Sequence, residues 1–311
     1  MTTATLKNVS SLFDHVHDEM RRGDARIALE RLFTGLQEAR ADLDSDAWQQ
    51  LAKVRAIEHP LREILHRDPM VRRSFEKPRG YAGDAVLIDY IYRLRGSDEV
   101  AGIGRQVYDY ASSARPAALG VQARRHEMAR QLDAVARLRP EGSSRVLCVA
   151  CGHFREGHLS RAFLDDRHDE IVALDSDAES LAVVEDTFRD RRIRSLHRSV
   201  AQLLKRDDFG RFDLVYSSGL YDYLEARFAR RLTRALFERL APGGRLVLCN
   251  FVPALTDAGF MESFMGWDLV YRSEQELADL AVEIDPESIA RRRVWTDAHD
   301  AVAYLELDKR A

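Results

Sequence analysis

The residues of this chain best suited to holding a small ligand are Gly152 and Asp175. Residues 146–150 are an apolar run short enough for one buried strand, and the chain then turns at Gly152. A second apolar run, residues 171–174, ends on Asp175, so that a carboxylate stands at the carboxyl end of a neighbouring strand. A carboxylate there can accept hydrogen bonds from the hydroxyls of a ribose. This order of elements, a strand, a glycine turn, a helix and a second strand that ends on an acid, is typical of the nucleoside-binding half of a doubly wound sheet.

The spacing of glycines at this turn indicates which kind of nucleoside ligand to expect. A dinucleotide site uses three glycines, spaced G-x-G-x-x-G, so that the backbone can approach a pyrophosphate. Here only Gly152 is present, and Ala150 and Arg155 take the flanking positions. We therefore expect a ligand with a ribose but without phosphates.

The elements around these residues predict two domains. Helical spacing and capping signals indicate an all-helical lid or substrate domain over residues 1–140. Residues 141–311 alternate strands with helices, which predicts an α/β fold with a Rossmann-like, mostly parallel seven-stranded sheet and an antiparallel final hairpin. Helices are expected directly after Gly152 and over residues 227–240, the latter ending in a turn at residues 241–244. The predicted strands are residues 146–150, 171–174, 193–197, 212–217, 245–251, 290–296 and 301–307.

Composition argues against several other classes of protein. Of the 311 residues 45% are hydrophobic, and a formal net charge of −4 does not suggest the concentrated basic face of a nucleic-acid binder. The N-terminus lacks a secretory pattern, and no uncharged apolar run approaches the roughly 18 residues of a membrane span, so we expect a cytoplasmic protein. Cys148 and Cys151 have the CxxC spacing of a redox pair or half a zinc site. Because no second pair completes such a site, we expect buried reduced thiols and no metal.

A second group of polar residues lies in the sequence KPRGYAGD, residues 77–84. Two glycines and a proline make a poor helix, whereas Lys77, Arg79 and Tyr81 can converge on a ligand from an ordered loop. A solvated interdomain turn is the alternative that composition alone leaves open. The helical run that follows contains Tyr90.

Four segments, in order and at suitable intervals, resemble the class I S-adenosylmethionine-dependent methyltransferases. They are VLCVACG, similar to the first glycine motif; IVALDSD, similar to the acidic second strand; FDLVYSSGLYDYL, similar to the fourth strand and its loop; and LAPGGRLVLCNF, similar to the fifth strand. The resemblance covers roughly residues 115–311. The sequence departs from the family pattern where Ala150 and Phe154 replace the outer glycines and Cys148 replaces the usual acid of the first strand.

This resemblance implies that S-adenosylmethionine is the cofactor. It places Gly152 against the adenosine and methionine portions and Asp175 on the ribose hydroxyls, although capping the next helix is an alternative role for Asp175. The other residues implied to contact the cofactor are Ala150, Ser176, Ser199, Val200, Ser217 and Gly219.

A narrower resemblance concerns the methyl acceptor. KPRGYAGDAVLIDYIY, together with MGWDLVYR at residues 265–272, resembles a bacterial family that makes 3-hydroxy fatty acid methyl esters. It implies carboxyl O-methylation of a hydroxy fatty acid or a similar acid. The alternatives are O- or N-methylation of a phenolic or amine metabolite, and a non-catalytic module that binds S-adenosylmethionine. Methylation of a nucleic-acid base is not expected, because SSGLYD follows the fourth strand in place of the Asn/Asp-Pro-Pro-Tyr/Phe loop.

The expected partner is therefore a small-molecule methyl acceptor, and the helical region could also support a homodimer. We expect Arg79 and Lys77 to hold an anionic group, either the carboxylate of the substrate or that of the cofactor. Tyr81 would hydrogen-bond the reacting group or face the sulfonium. Asp222 would act as a base if the acceptor were a hydroxyl, with structural capping as its alternative role. The complete set expected on the substrate side is Arg79, Tyr81, Tyr221 and Asp222 in catalysis and Lys77, Tyr90 and Tyr223 in binding.

Overall fold

The computed structural model describes residues 2–23, 25–96, 99–140, 142–205 and 210–311. The chain divides into two compact units. We call the first, Met1–Val121 with Ala254–Asp268, the helical unit, and the second, Gln122–Pro253 with Leu269–Ala311, the sheet unit. The predicted domain boundary at residues 140 and 141 lies just after the long helix Pro116–Leu138 and stays a prediction, and Glu141 itself lies outside the described residues.

The helices take their bounds from clear local signals. Asp68 accepts a hydrogen bond from the backbone N–H of Met70 at 2.8 Å, and Pro69 occupies the first helical position, as a helix start favours. The helices in chain order are α1 (Thr2–Arg22), α2 (Ala25–Asp42), α3 (Ser45–Gln50), α4 (Ala56–Glu58), α5 (Leu61–Leu65), α6 (Pro69–Glu76), α7 (Ala85–Ile91), α8 (Gly102–Ser113), α9 (Pro116–Leu138), α10 (Arg161–Leu164), α11 (Ala178–Thr187), α12 (Val200–Leu203), α13 (Ala226–Glu238), α14 (Ala258–Phe264) and α15 (Glu274–Ala278). None of the described helices is long and apolar enough to cross a membrane.

The sheet unit is built on seven strands. They are β1 (Ser144–Val149), β2 (His168–Asp175), β3 (Ile193–His197), β4 (Phe212–Ser217), β5 (Leu240–Phe251), β6 (Ile289–Thr296) and β7 (Val302–Lys309). Their order across the sheet is β3-β2-β1-β4-β5-β7-β6, and only the pairings of β7 with β5 and β6 are antiparallel. This confirms the predicted fold.

The parallel part of the sheet brings the ends of β1 to β4 to one edge. Cys148 of β1 pairs with Ala173 of β2 and with Tyr216 of β4, so these three strands end close to the same level. The apolar run of β2 is buried on both faces, as expected for a strand covered by helices. The residues that follow β1, β2, β3 and β4 therefore lie along one edge, which we call the carboxyl edge.

Two local predictions differ from the structure, and one helix was not predicted. The stretch after Gly152 is not a continuous helix but a 3-10 turn, Arg155–His158, followed by the short α10, which Ser160 caps. Residues 241–244 do not end a helix; they belong to β5, whose register against β4 shifts at this point. Helix α14, which the sequence patterns did not indicate, belongs to the helical unit.

Candidate active site

The turn after β1 has an unusual backbone. Ala150, Gly152 and Phe154 all have positive φ angles, of 55°, 53° and 49°. For residues other than glycine this conformation costs about 1 kcal/mol. The ring of Phe154 is fully buried against Phe163 and Phe188, with centroid distances of 5.3 and 5.8 Å, and its burial offsets that cost. The turn thus keeps the left-handed geometry that glycine favours although only one glycine is present.

Asp175 is held in place by this turn. Its Oδ2 accepts a hydrogen bond from the N–H of Gly152 at 2.8 Å, and its Oδ1 accepts one from the N–H of Asp177 at 2.9 Å. Burial raises the pKa of Asp175, and the backbone N–H groups of Asp177, Gly152 and Ser176 oppose that shift. A carboxylate has about four lone-pair positions, so acceptor capacity remains for a ligand. The arrangement fits a ligand that offers two neighbouring hydroxyls.

The other predicted cofactor residues extend this edge. Ser176 is exposed, and Ser199, Val200 and Gly219 are half-buried. A Cβ placed on Gly219 would have no atom within 4 Å, so the backbone after β4 borders open space. Ser217 differs, because its fully buried hydroxyl donates a hydrogen bond to the carbonyl of Val149 at 2.9 Å. Its role is to join β4 to β1.

A buried polar cluster lies at the ends of β1 and β4 that the sequence did not reveal. The hydroxyl of Tyr216 donates to Oε1 of Glu156 at 2.7 Å, and the thiol of Cys148 lies 3.9 Å from the same oxygen. Burial raises the pKa of Glu156. Cys148 occupies the strand position where the family resemblance calls for an acid, and Glu156 supplies a carboxyl group beside it. The sequence predicts that Glu156 either hydrogen-bonds the methionine portion of the cofactor or lies on the surface, and its contact with Tyr216 was not predicted.

Tyr221 requires a correction. We expected it to face the acceptor, but its side chain is fully buried in the core of the sheet unit. Its hydroxyl lies 3.0 Å from Oγ1 of Thr233, and burial raises its pKa. Tyr223, two residues later, is 39% exposed, because the 3-10 turn Tyr221–Tyr223 directs the two rings differently.

Asp222 makes the contacts of a structural residue. It is 2% exposed, its Oδ2 accepts a hydrogen bond from Arg124 at 3.2 Å, and its Oδ1 accepts one from the N–H of Phe251 at 2.7 Å. Its backbone carbonyl accepts from the N–H of Val270 at 2.7 Å. Burial raises the pKa of Asp222, and Arg124 opposes the shift. Both carboxylate oxygens are therefore engaged in joining α9, the loop after β4, and β5.

Arg272 holds the same loop from the other side. Its guanidinium donates to the carbonyl of Tyr221 at 2.7 Å and to Oδ1 of Asn250 at 2.6 Å, and it also contacts the carbonyl of Leu224. Arg272 is only 4% exposed. Arg272 is the last residue of MGWDLVYR, and its role could not be predicted because a sequence does not show which backbone carbonyls a cation will reach.

The loop of residues 77–84 belongs to the helical unit and is ordered by its ends. Lys77 ends α6 with a φ of 50°, and its carbonyl accepts a hydrogen bond from the N–H of Gly80 at 2.8 Å. At the other end the fully buried Asp84 caps α7 and accepts hydrogen bonds from Arg73 at 2.7 to 3.1 Å. Hydrogen bonds therefore fix both ends of this loop.

The predicted substrate residues of the helical unit occupy different environments. Lys77 and Arg79 are half-buried, and Tyr81 is 37% exposed. Tyr90 is buried, and its hydroxyl donates to Glu99 at 3.0 Å. Burial raises the pKa of Tyr90. Its ring therefore contributes to the interior of the unit rather than to the loop.

Comparison with known proteins finds a family match within the sheet unit. Residues 146–244 match the model of a family described as a methyltransferase domain. This range contains the glycine turn, Asp175 and the loop after β4. No curated protein matches the chain at a significant level.

Two solved structures illustrate the likeness of the fold. A possible exported protein from Bordetella parapertussis is 17% identical, with a TM-score of 0.60 over 100% of this chain and 97% of that chain. Magnesium protoporphyrin IX methyltransferase from Synechocystis PCC 6803, with bound SAH, is 15% identical, with a TM-score of 0.50 over 78% of this chain and 100% of that chain. At these identities the likeness establishes the fold.

Proposed function

We propose that this chain, an S-adenosylmethionine-dependent methyltransferase, methylates a carboxyl oxygen of a small organic acid, for which a hydroxy fatty acid is the best candidate. S-adenosylmethionine supplies a methyl group activated by a sulfonium. The reaction forms an oxygen–methyl bond as the carbon–sulfur bond breaks, so its main requirements are alignment and the exclusion of water.

The carboxyl edge supplies groups that suit this cofactor. The carboxylate of Asp175 would accept the ribose hydroxyls, and the backbone of Ala150 and Gly152 would lie against the adenosine and methionine portions. Gly219 borders open space where the reacting sulfur could lie. The residues that would flank the adenine are Ser176, Ser199 and Val200.

The observation that carries the choice of acceptor is the engagement of Asp222. Both of its oxygens hold protein groups, Arg124 and the N–H of Phe251. It is therefore poorly placed to remove a proton from a hydroxyl or an ammonium group. A carboxylic acid has an ordinary pKa near 4 and is already ionised at neutral pH, whereas a phenol or an amine has a pKa near 10. An acceptor that arrives as an anion needs no base.

An anionic acceptor also gives a role to the ordered loop of residues 77–84. Arg79 and Lys77 would bind the carboxylate through charge-assisted hydrogen bonds, and Tyr81 would contact the reacting group. The transfer combines a carboxylate with a sulfonium, so two opposite charges disappear. A site that excludes water favours such a step.

The direct test uses methyl-labelled S-adenosylmethionine with a panel of fatty acids, hydroxy fatty acids, phenols and amines. We expect a labelled, base-labile methyl ester from the acids. Label transferred only to phenols or amines would overturn the proposal.

A second test addresses the loop. Arg79→Ala should lower the rate on acids at least tenfold with an unchanged melting temperature, Arg79→Lys should restore part of that rate, and Arg72→Ala, which removes an exposed cation from α6, should resemble the unmodified protein. Full activity of Arg79→Ala would exclude this role for the loop.

A further inference from the structure

The helical unit contains a small, partly open cavity of about 30 Å³. Its wall is formed by residues from α2, α6, α7, α8, α9 and α14 and from the segment after α14. Apart from Arg115 and Asp257, every residue that lines it is apolar. A water molecule needs two to four polar partners, so a cavity with such a wall favours apolar occupants.

One part of the wall is stiff. The rings of Phe33 and Phe260 stack with centroids 4.2 Å apart and an interplanar angle of 18°. The guanidinium of Arg115 lies over the Phe33 ring, 4.3 Å from its centre. These planar groups define a fixed surface against which a chain can lie.

Another part of the wall can adapt. Met70, Met261 and Met265 line the cavity and are all buried. Methionine side chains are unbranched and change rotamer readily, which lets them make room for an apolar guest. A cavity of about 30 Å³ can therefore widen along its methionine side without movement of the aromatic side.

The charged pair in the wall determines which end of an amphipathic ligand can enter. Arg115 donates from Nε to Oδ1 of Asp257 at 2.8 Å, and the backbone N–H of Ala117 donates to Oδ2 at 2.7 Å. The positive charge of Arg115 is thus already matched by a buried carboxylate. A second carboxylate here would meet the negative charge of Asp257 in a poorly solvated place, which is costly.

We propose that this cavity binds the unbranched aliphatic chain of the acceptor, with the acid group left outside. The acid itself rests on the proposed function, whereas the affinity for an aliphatic chain rests on the cavity. Burying one methylene contributes about 0.8 kcal/mol, which corresponds to roughly fourfold in affinity. Affinity should rise by about this factor for each added methylene until the cavity is filled.

The test measures binding by calorimetry in the absence of cofactor, with straight-chain primary alcohols and straight-chain carboxylic acids of increasing length. Ala118 lines the cavity, and Ala118→Leu should fill part of it and weaken binding of the longer alcohols at least tenfold while sparing the shortest. Ala41→Leu adds the same atoms at an exposed position of α2 and should behave like the unmodified protein. Unchanged length dependence in a folded Ala118→Leu variant would overturn the proposal.

A second variant keeps the proposal testable if Ala118→Leu does not fold. Met265→Ala shortens an adaptable part of the wall, so the preferred chain should become longer by one or more methylenes. No change in that limit would count against the cavity. Length-dependent binding of alcohols without methylation of any acid would contradict the proposed function alone. Methylation of acids without length-dependent binding of alcohols would contradict the proposed role of the cavity alone.

Discussion

The carboxyl edge of the sheet unit and the cavity of the helical unit are built from different parts of the chain. The edge consists mainly of backbone groups at the ends of parallel strands. Hydrogen bonds between these groups and the side chains of Asp175 and Ser217 hold them in position. The cavity consists almost entirely of side chains brought together by helix packing. Ligand binding at the edge should therefore depend on backbone conformation, and ligand binding in the cavity should depend on side-chain volume.

Asp68 of the helical unit differs from the buried carboxylates Asp175 and Asp222 of the sheet unit. Both oxygens of Asp175 and of Asp222 accept hydrogen bonds. Asp68 in the helical unit is fully buried, and its Oδ2 has no hydrogen-bond partner among the described residues. Burial raises the pKa of Asp68 to about 8. An aspartate side chain can thus be a fixed acceptor at one buried position and a protonated cap at another.

The largest expected effect tests the backbone origin of the edge. Gly152→Leu places a side chain at a φ of 53° beside Asp175 and should weaken binding of S-adenosylhomocysteine by more than 100-fold in calorimetry. Gly243 has a φ of 68° in the same unit, so Gly243→Leu carries similar strain away from the carboxyl edge and should bind normally. Normal affinity in Gly152→Leu would refute the placement of the cofactor.

The next effect concerns Asp68 and pH. Between about pH 4 and pH 8 the unfolded chain has lost this proton while the folded chain retains it. The free energy of unfolding should therefore fall as the pH rises through this window, by up to about 1.4 kcal/mol per pH unit, and level off above it. Asp68→Asn should remove that contribution while keeping the cap.

The measurement for Asp68 is urea unfolding from pH 5 to pH 9. Asp44→Asn changes an exposed cap, that of α3, and controls for the substitution itself. Equal pH slopes for Asp68→Asn and the unmodified protein would show that Asp68 is ionised in the folded state.

A smaller effect distinguishes a structural Asp222 from a catalytic one. Asp222→Ala removes the carboxylate beside the buried guanidinium of Arg124 and should lower the free energy of unfolding by about 3 kcal/mol. Asp186→Ala disrupts an exposed pair with Arg189 and should cost less than about 1 kcal/mol. An Asp222→Ala variant of normal stability that has lost all activity would instead indicate a base.

The smallest expected effect is a decline in the free energy of unfolding at low pH, caused by His168 of the sheet unit. Burial lowers the pKa of His168 to about 4, and its Nδ1 lies 2.8 Å from Oγ of Ser144. As the pH falls from about 6.5 to about 4 the unfolded chain gains this proton first, so stability should decline in that window, opposite in sign to the Asp68 effect. His168→Asn should flatten the decline in urea unfolding, whereas the exposed His158→Asn should leave it intact.

Local patterns were sufficient to predict the carboxyl edge. The predicted bounds of β3 and β4 agree with the structure, and the position of Asp175 at the end of β2 followed from one apolar run. Side-chain direction in the loop after β4 could not be predicted, because a 3-10 turn has no period long enough to reveal a buried face. Tyr221 was misplaced for this reason.

The helical unit could be predicted only as a class. Its cavity depends on Phe33 of α2 meeting Phe260 of α14, more than two hundred positions later, and helical periodicity carries no information about such a pairing. Arg115 and Asp257 illustrate the same limit, because each alone resembles an ordinary surface charge.

The position of α14 between β5 and β6 bears on the order of events during synthesis. The first 121 residues leave the ribosome long before α14, and β1 to β5 are made in between. Until α14 is made, Phe33 lacks the ring of Phe260, which stacks on it. Arg40 and Trp48 likewise lack the carboxylate of Glu262, to which they donate hydrogen bonds at 3.0 and 2.6 Å. The interior of the helical unit is therefore complete only after α14 has been synthesised.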